Sequence, residues 1–174
     1  MAVVATGFFD GVHLGHRKVI ETLVSSARER GEEAIVVTFA QHPRLVLGQD
    51  ADALRMLTTQ AEKTAMLKEL GVDRVEVVNF TKEFASLTAF EYLRDVVKAG
   101  FGATAIVLGY DTRLGSDKQT VSGIAPAAAS LGLEVICCDA VEGISSTRIR
   151  KAVDEGRIAD AEAMLGHVIN PQAI

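Results

Sequence analysis

The stretch from Ala2 to His16, AVVATGFFDGVHLGH, decides the fold. Ala2 to Thr6 are small or β-branched residues that read as a strand covered on both faces. The chain then turns through Gly7 and Gly11, which tolerate backbone angles closed to other residues. From about Leu14 to Arg30 the apolar residues recur at helical spacing. Strand, glycine turn and helix together make a βα unit.

The alternation continues outward from this unit. Strands are predicted near Ala34 to Phe39, Arg74 to Asn79, Thr104 to Leu108 and Glu134 to Cys138, with helices around Gln60 to Leu70, Thr88 to Ala99 and Gly123 to Leu131. Nearly continuous apolar runs such as Ile35 to Val37 and Ala105 to Leu108 suit parallel strands buried on both faces. The expected fold is therefore α/β: a doubly wound, Rossmann-like, five-stranded parallel sheet with helices on both faces. A short helical tail follows from Ser145, with Ser145 or Ser146 as N-cap and Gly156 as C-cap. Ligands of such sheets bind beyond the carboxyl ends of the strands, which directs attention to the loops after Thr6, Phe39, Asn79, Leu108 and Cys138. The least regular connection, Gly48 to Thr58, is expected as a mobile loop over the site.

Composition bounds the function. The chain has 174 residues, 48% hydrophobic and 24% charged, which suits one globular domain with a real core. A formal net charge of -5 leaves no basic face for sequence-independent nucleic-acid binding, so an anionic ligand must be met locally. No apolar run approaches bilayer length and no signal-peptide pattern is evident, so the expected location is cytoplasmic with no membrane partner. The two cysteines, Cys137 and Cys138, are adjacent and without a second Cys/His cluster, and read as reduced structural thiols.

Two constellations carry chemistry. In GFFDGVHLGH, Gly7 to His16, the paired histidines His13 and His16 stand three apart at a helix start and share a face. Backbone N–H groups and the positive end of the helix dipole already favour phosphate there, and two imidazoles add directional donors. Gly15 between them would let a nucleotide approach the helix closely. Blander readings are a helix start that happens to hold two histidines, or a zinc site, for which only Asp10 is an obvious third ligand. In GISSTRIR, Gly143 to Arg150, three hydroxyls at Ser145, Ser146 and Thr147 can cap a helix or bind oxygens, and Arg148 can fork onto a phosphate. Alone, such a run is more often a cap.

On these residues the sequence resembles the adenylyltransferase module of bacterial-type bifunctional riboflavin kinase/FAD synthetases, within the HxGH nucleotidylyltransferase superfamily. The matching segments are GFFDGVHLGH, VTFAQHPR from Val37, LTTQAEKTAMLKELGVD from Leu57, FASLTAFEYL from Phe84, VLGYDTRLG from Val107, ISSTRIR from Ile144 and the pair Leu165-Gly166. The resemblance implies transfer of AMP from ATP to FMN, with Mg²⁺ and release of pyrophosphate. It assigns His13, His16 and Arg148 to catalysis on the ATP phosphates, with Ser145, Ser146 and Thr147 on the triphosphate from the other side. Gly109 and Asp111 would lie against the nucleotide. Gly7, Phe8, Phe9, Asp10 and Gly15 would form the wall around it, and Thr38, His42 and Pro43 would line it from the second strand. No protein-held metal is expected.

The match has departures. Asp111-Thr112-Arg113-Leu114-Gly115 stands where the family usually reads D-F-R-F-G, so two aromatic residues that could order the loop or pack near a flavin are lost. Gln41 replaces a usual proline. Phe84, Phe90 and Tyr92 read as core rather than a flavin platform, and Glu29, Glu32 and Glu33 as a solvated face. The 174 residues are expected to form one nucleotidylyltransferase domain without a riboflavin kinase domain, either a single-function enzyme or a piece of a longer one. Two alternatives stay open beside FMN adenylylation: a related transferase with another phosphorylated acceptor or CTP, and a non-catalytic flavin or nucleotide sensor.

Overall fold

The computed structural model describes residues 1–48 and 54–171. In chain order the strands are β1 (Ala2–Thr6), β2 (Glu33–Phe39), β3 (Arg74–Val78), β4 (Ala103–Gly109) and β5 (Glu134–Cys138). They form one five-stranded sheet in the order β3-β2-β1-β4-β5, with every pairing parallel. The helices are α1 (Leu14–Arg30), α2 (Pro43–Val46), α3 (Gln60–Glu69), α4 (Lys82–Ala85), α5 (Ala89–Glu91), α6 (Ala99–Phe101), α7 (Val121–Ser130), α8 (Ser146–Asp154) and α9 (Ile158–Leu165), with a π-helical stretch Tyr92–Lys98 joining α5 to α6.

Alternate residues of the central strands feed two cores. Val3, Ala5, Val36, Ala105 and Val107 pack with Ile20, Leu23 and Ala27 of α1 and Leu67 of α3. Val4, Ile35, Val37, Ile106 and Leu108 face the other way, onto Tyr92, Leu93 and Val97 and onto Ile124 and Ala128 of α7. Helices thus cover both faces, as a doubly wound sheet requires. Connections proceed outward from β1 in one direction through β2 and β3 and in the other through β4 and β5, so the strand order reverses between β1 and β4. Their carboxyl ends flank the topological switch point, where such sheets take ligands.

A third apolar cluster joins Leu57 to Ile149, Ala152 and Val153 of α8, Ala161 and Leu165 of α9, and Ile169. It fastens the helical tail beneath the turn that follows β1. The predicted helix from Thr88 becomes α5, the π stretch and α6, and two short helices, α2 and α4, were not anticipated. Each has one turn, too short to show periodicity. Cys137 is exposed and Cys138 buried, both free; successive side chains of a strand point to opposite faces, and Cys138 joins the α1 core. Phe84 and Tyr92 are packed against the core, whereas Phe90 is 41% exposed, a correction to its reading as core.

Candidate active site

His13 is the N-cap of α1 rather than a residue of its first turn: its φ of -65° and ψ of 171° are extended, and its ring Nδ1 accepts the backbone N–H of His16 at 3.2 Å. That bond requires an unprotonated Nδ1 and leaves Nε2 as the N–H donor of a neutral ring. The His13 and His16 rings stack at 3.5 Å with an interplanar angle of 14°. Burial holds the His13 imidazole at about 4, against the opposing pull of Asp10. It holds His16 well below its ordinary value too, with His13, Lys63 and Arg150 pushing the same way. His16 Nδ1 is enclosed without a hydrogen-bond partner among the described residues. Both imidazoles are therefore neutral donors or acceptors at pH 7, standing at a helix start whose first N–H groups have no intrahelical acceptor.

The turn that delivers this pair is strained. Phe9 and Val12 adopt φ of 55° and 40°, in the left-handed region that non-glycine residues rarely occupy and that costs about 1–3 kcal/mol each. Both side chains are buried in the α1 core, and that packing holds the conformation. Gly11 has φ of +80°, and a Cβ there would meet Leu165 Cδ2 at 2.8 Å. At Gly15 a Cβ would stand 3.1 Å from His13 Cε1, so the immediate need for glycine is to seat the His13 ring.

The second strand supplies a wall. Thr38, fully buried, donates its hydroxyl to Phe8 O at 3.0 Å, and Gly7 donates its N–H to Val37 O at 3.1 Å. His42 caps α2 by accepting the Arg44 N–H, and Pro43 opens that helix. The His42 ring meets Phe8 edge-on at 4.5 Å, while Phe9 meets His16 edge-on at 5.3 Å. Burial also lowers His42 to about 4, assisted by Arg150.

Asp10 organises the floor. Its carboxylate accepts the Leu57 N–H at 3.0 Å and the Thr58 N–H at 3.2 Å, and Arg150 closes on it at 2.5 Å. Arg150 also donates to Arg55 O at 2.7 Å. Residues 49–53 of the predicted mobile loop lie outside the described residues; at its far end Leu57 and Thr58 are buried and bonded to Asp10. The ring Nε2 of His167 lies 2.7 Å from Gly11 O, so the chain beyond α9 reaches the same turn.

The second constellation divides. Ser145 caps α8 by accepting the Arg148 N–H at 3.2 Å, and Ser146 donates its hydroxyl to Asp10 O at 3.3 Å. Thr147 and Arg148 are exposed. Arg148 Nη1 lies close to Gly143, and its side chain borders a groove of about 440 Å³ with Lys151, Arg157 and Met164. The arginine brought to the histidine loop is Arg150 instead. Across the switch point, Gly109 ends β4, where an added Cβ would stand 3.6 Å from the Asp111 and Thr112 side chains, and Asp111 is exposed within electrostatic reach of His13. The loop without its two phenylalanines is anchored by Leu114, which is buried in the core and exchanges backbone bonds with Gln119 at 3.0 and 2.9 Å.

Among the described residues no group of three or more His, Cys, Asp or Glu side chains could hold a metal ion. Asp10 is committed to Arg150 and two backbone donors; among the described residues Asp111 is the exposed carboxylate within electrostatic reach of His13. Lys63 was missed from the sequence although it carried a signal: it shares a helical stripe with Leu67 and Leu70 where a lysine is out of place. Arg150 carried none, its partner lying 140 residues away.

Comparison with known proteins follows the same lines. A family model described as FAD synthetase matches residues 1–152. The chain is 34% identical over 169 residues to a bifunctional riboflavin kinase/FMN adenylyltransferase of Listeria monocytogenes, covering 95% of this chain and 54% of that protein. It is 30% identical over 171 residues to a FAD synthetase of the same organism, covering 95% and 69%. A solved structure described as a macrolide-efflux protein from Streptococcus pneumoniae superposes with a TM-score of 0.87 at 35% identity, over 95% of this chain and 55% of that one. The chain spans about half the length of the first curated relatives it matches.

Proposed function

Because this chain belongs to the FAD synthetase family, we propose that it is a nucleotidyltransferase that moves AMP from ATP to the phosphate of FMN, giving FAD and pyrophosphate. The observation that carries this reading is the stacked, neutral His13–His16 pair capping α1 at the switch point of the sheet. A polyphosphate laid on that helix start meets backbone N–H groups and the Nε2–H donor of His13 without displacing a competing carboxylate.

In this reading a phosphate oxygen of FMN attacks the α-phosphorus in line. The bond from that phosphorus to the bridging oxygen breaks, and pyrophosphate leaves with the electron pair. The FMN phosphate has a second pKa of about 6, so it needs no general base at neutral pH. Charge gathering on the equatorial and leaving oxygens would be met by His13, His16 and the helix N–H groups, more strongly in the transition state than in the ground state. Ser145, Ser146, Thr147 and Arg148 would approach the triphosphate from α8, and Gly7, Phe8, Phe9, Asp10, Gly15, Thr38, His42, Gly109 and Asp111 would wall the nucleotide. Magnesium enters with ATP as part of the substrate, since Mg²⁺ commonly takes one or two carboxylates plus phosphates and Asp111 is the exposed one within electrostatic reach of His13 among the described residues.

The same reading takes residues 1–174 as one nucleotidylyltransferase domain, working on small molecules in the cytoplasm without nucleic acid. The net charge of -5 supports it, and among the described residues no helix is long and apolar enough to cross a membrane. The test is incubation of the purified chain with ATP, Mg²⁺ and FMN, riboflavin or no acceptor, following FAD and pyrophosphate. FAD from FMN and none from riboflavin is expected. Pyrophosphate released only for another phosphorylated acceptor rejects FMN, and tight nucleotide binding without turnover rejects catalysis.

A further inference from the structure

Lys63 of α3 is 2% exposed, and no carboxylate among the described residues is bonded to it. Its Nζ donates to Phe8 O at 2.8 Å and lies 3.5 Å from Phe39 O, while sitting 3.9 Å above the centre of the Phe8 ring. An ammonium taken from water into such a place is costly unless it is paired or coordinated. Here two backbone carbonyls and an aromatic face coordinate it, with Asp10 acting from a distance. A leucine or methionine would fill the same stripe of α3 without that cost, so packing does not account for the charge.

Its position does. Phe8 O and Phe39 O are at the carboxyl ends of β1 and β2, and Phe8 directly precedes the strained Phe9 that starts the turn into α1. Thr38 donates to the same Phe8 carbonyl, so Lys63 and Thr38 together pin one peptide group that sets where His13 and His16 stand. The charged and titratable groups within its electrostatic reach are Asp10, His16 and His42. A cation behind both histidines disfavours their protonation and adds positive potential where an anion would lie.

We infer that Lys63 is a positioning residue of this site: its buried ammonium fixes the strand-end turn that presents His13 and His16 and sets a positive charge behind the anion-binding loop. This rests on the polyphosphate role proposed above and deepens it. Burial pulls the amine down to about 8, which makes its proton a reporter of bound anion.

The experiment follows the Lys63 side-chain titration by NMR in the full chain carrying ¹⁵N-labelled lysine, with and without inorganic tripolyphosphate, using Lys63→Arg to assign the signal. Bound tripolyphosphate is expected to raise the Lys63 midpoint by about one pH unit or more, a tenfold gain in proton affinity. In turnover with ATP and FMN, Lys63→Met is expected to lower kcat about tenfold with little change in KM for FMN, and Lys63→Arg to recover part of it. Tripolyphosphate that binds yet leaves the midpoint in place overturns the inference, as does a folded Lys63→Met variant with turnover within about twofold of the parent. The wild-type titration decides the matter even if Lys63→Met does not fold. A raised Lys63 midpoint without FAD formation would reject the FMN acceptor and leave this role standing; FAD formation with an unmoved midpoint does the reverse. Absence of tripolyphosphate binding overturns this role and leaves the FMN acceptor to be decided by FAD formation.

Discussion

A guanidinium nitrogen of Arg150 stands 2.5 Å from a carboxylate oxygen of Asp10, with the two side chains 12% and 3% exposed. The contact joins the turn after β1 to α8 across the whole length of the sequence, and through Arg55 O and the Leu57 and Thr58 N–H groups it takes in the segment before α3. The histidine loop is thus braced from below by Arg150 and the segment before α3.

Breaking this pair from one side should be expensive. Asp10→Ala leaves a largely buried guanidinium and two backbone donors without their acceptor, and a loss of about 3 kcal/mol is expected from urea unfolding. The double variant Asp10→Ala/Arg150→Met should cost less than the sum of the two single changes. Additive losses would show that the pair is not coupled.

The two arginines of α8 should separate in experiment. Arg148→Ala removes an exposed side chain, so its unfolding free energy should stay within about 0.5 kcal/mol of the parent while turnover falls. Arg150→Ala should lower stability as well. An Arg148→Ala variant with unchanged turnover would take Arg148 out of the proposed reaction.

His16→Ala is expected to reduce turnover by at least ~100-fold, the scale of losing a preorganised donor at a centre of developing charge. Steady-state assay with ATP, Mg²⁺ and FMN measures it. Near-normal turnover would remove His16 from the mechanism.

Acid should unfold the protein through its histidines. His13 and His42 lie at about 4 in the fold against 6.5 for a free imidazole, so below pH 6.5 the unfolded chain takes up protons that the folded chain refuses. Their contribution is complete above that pH, declines as the pH falls through the window, and levels off below about 4. Melting temperatures recorded from neutral pH downward should show the decline, and His13→Asn, which keeps an N-cap but does not titrate, should flatten it. A melting temperature independent of pH across that window would contradict the buried neutral state.

Gly11→Ala tests the strained turn. Its φ of +80° and the 2.8 Å approach of Leu165 Cδ2 to an added Cβ predict a loss of about 1–3 kcal/mol, read by chemical denaturation. A neutral effect would mean the turn can relax without displacing α9.

The elements with strong local signals are legible in the sequence. Ala2 to Thr6 and Leu14 to Arg30 have the predicted bounds in the structure, because their periodicity is written in consecutive residues. The histidine pair and the serine cap were legible for the same reason: glycine, His13, His16 and Ser145 mark helix starts through chemistry that acts within three or four positions.

What the sequence by itself determined is the alternation of strands and helices, hence the parallel sheet, and the helix start suited to phosphate. Tertiary structure alone decided that Arg150 rather than Arg148 meets Asp10, that Lys63 lies behind the loop, and that His13 caps α1 with a neutral ring. Secondary structure follows from interactions a few residues long, whereas a buried charge finds its partner only when folding brings distant segments together. Asp10, Leu57 and Arg150 meet only through the packing of Leu57 against α8, which largely buries the ion pair.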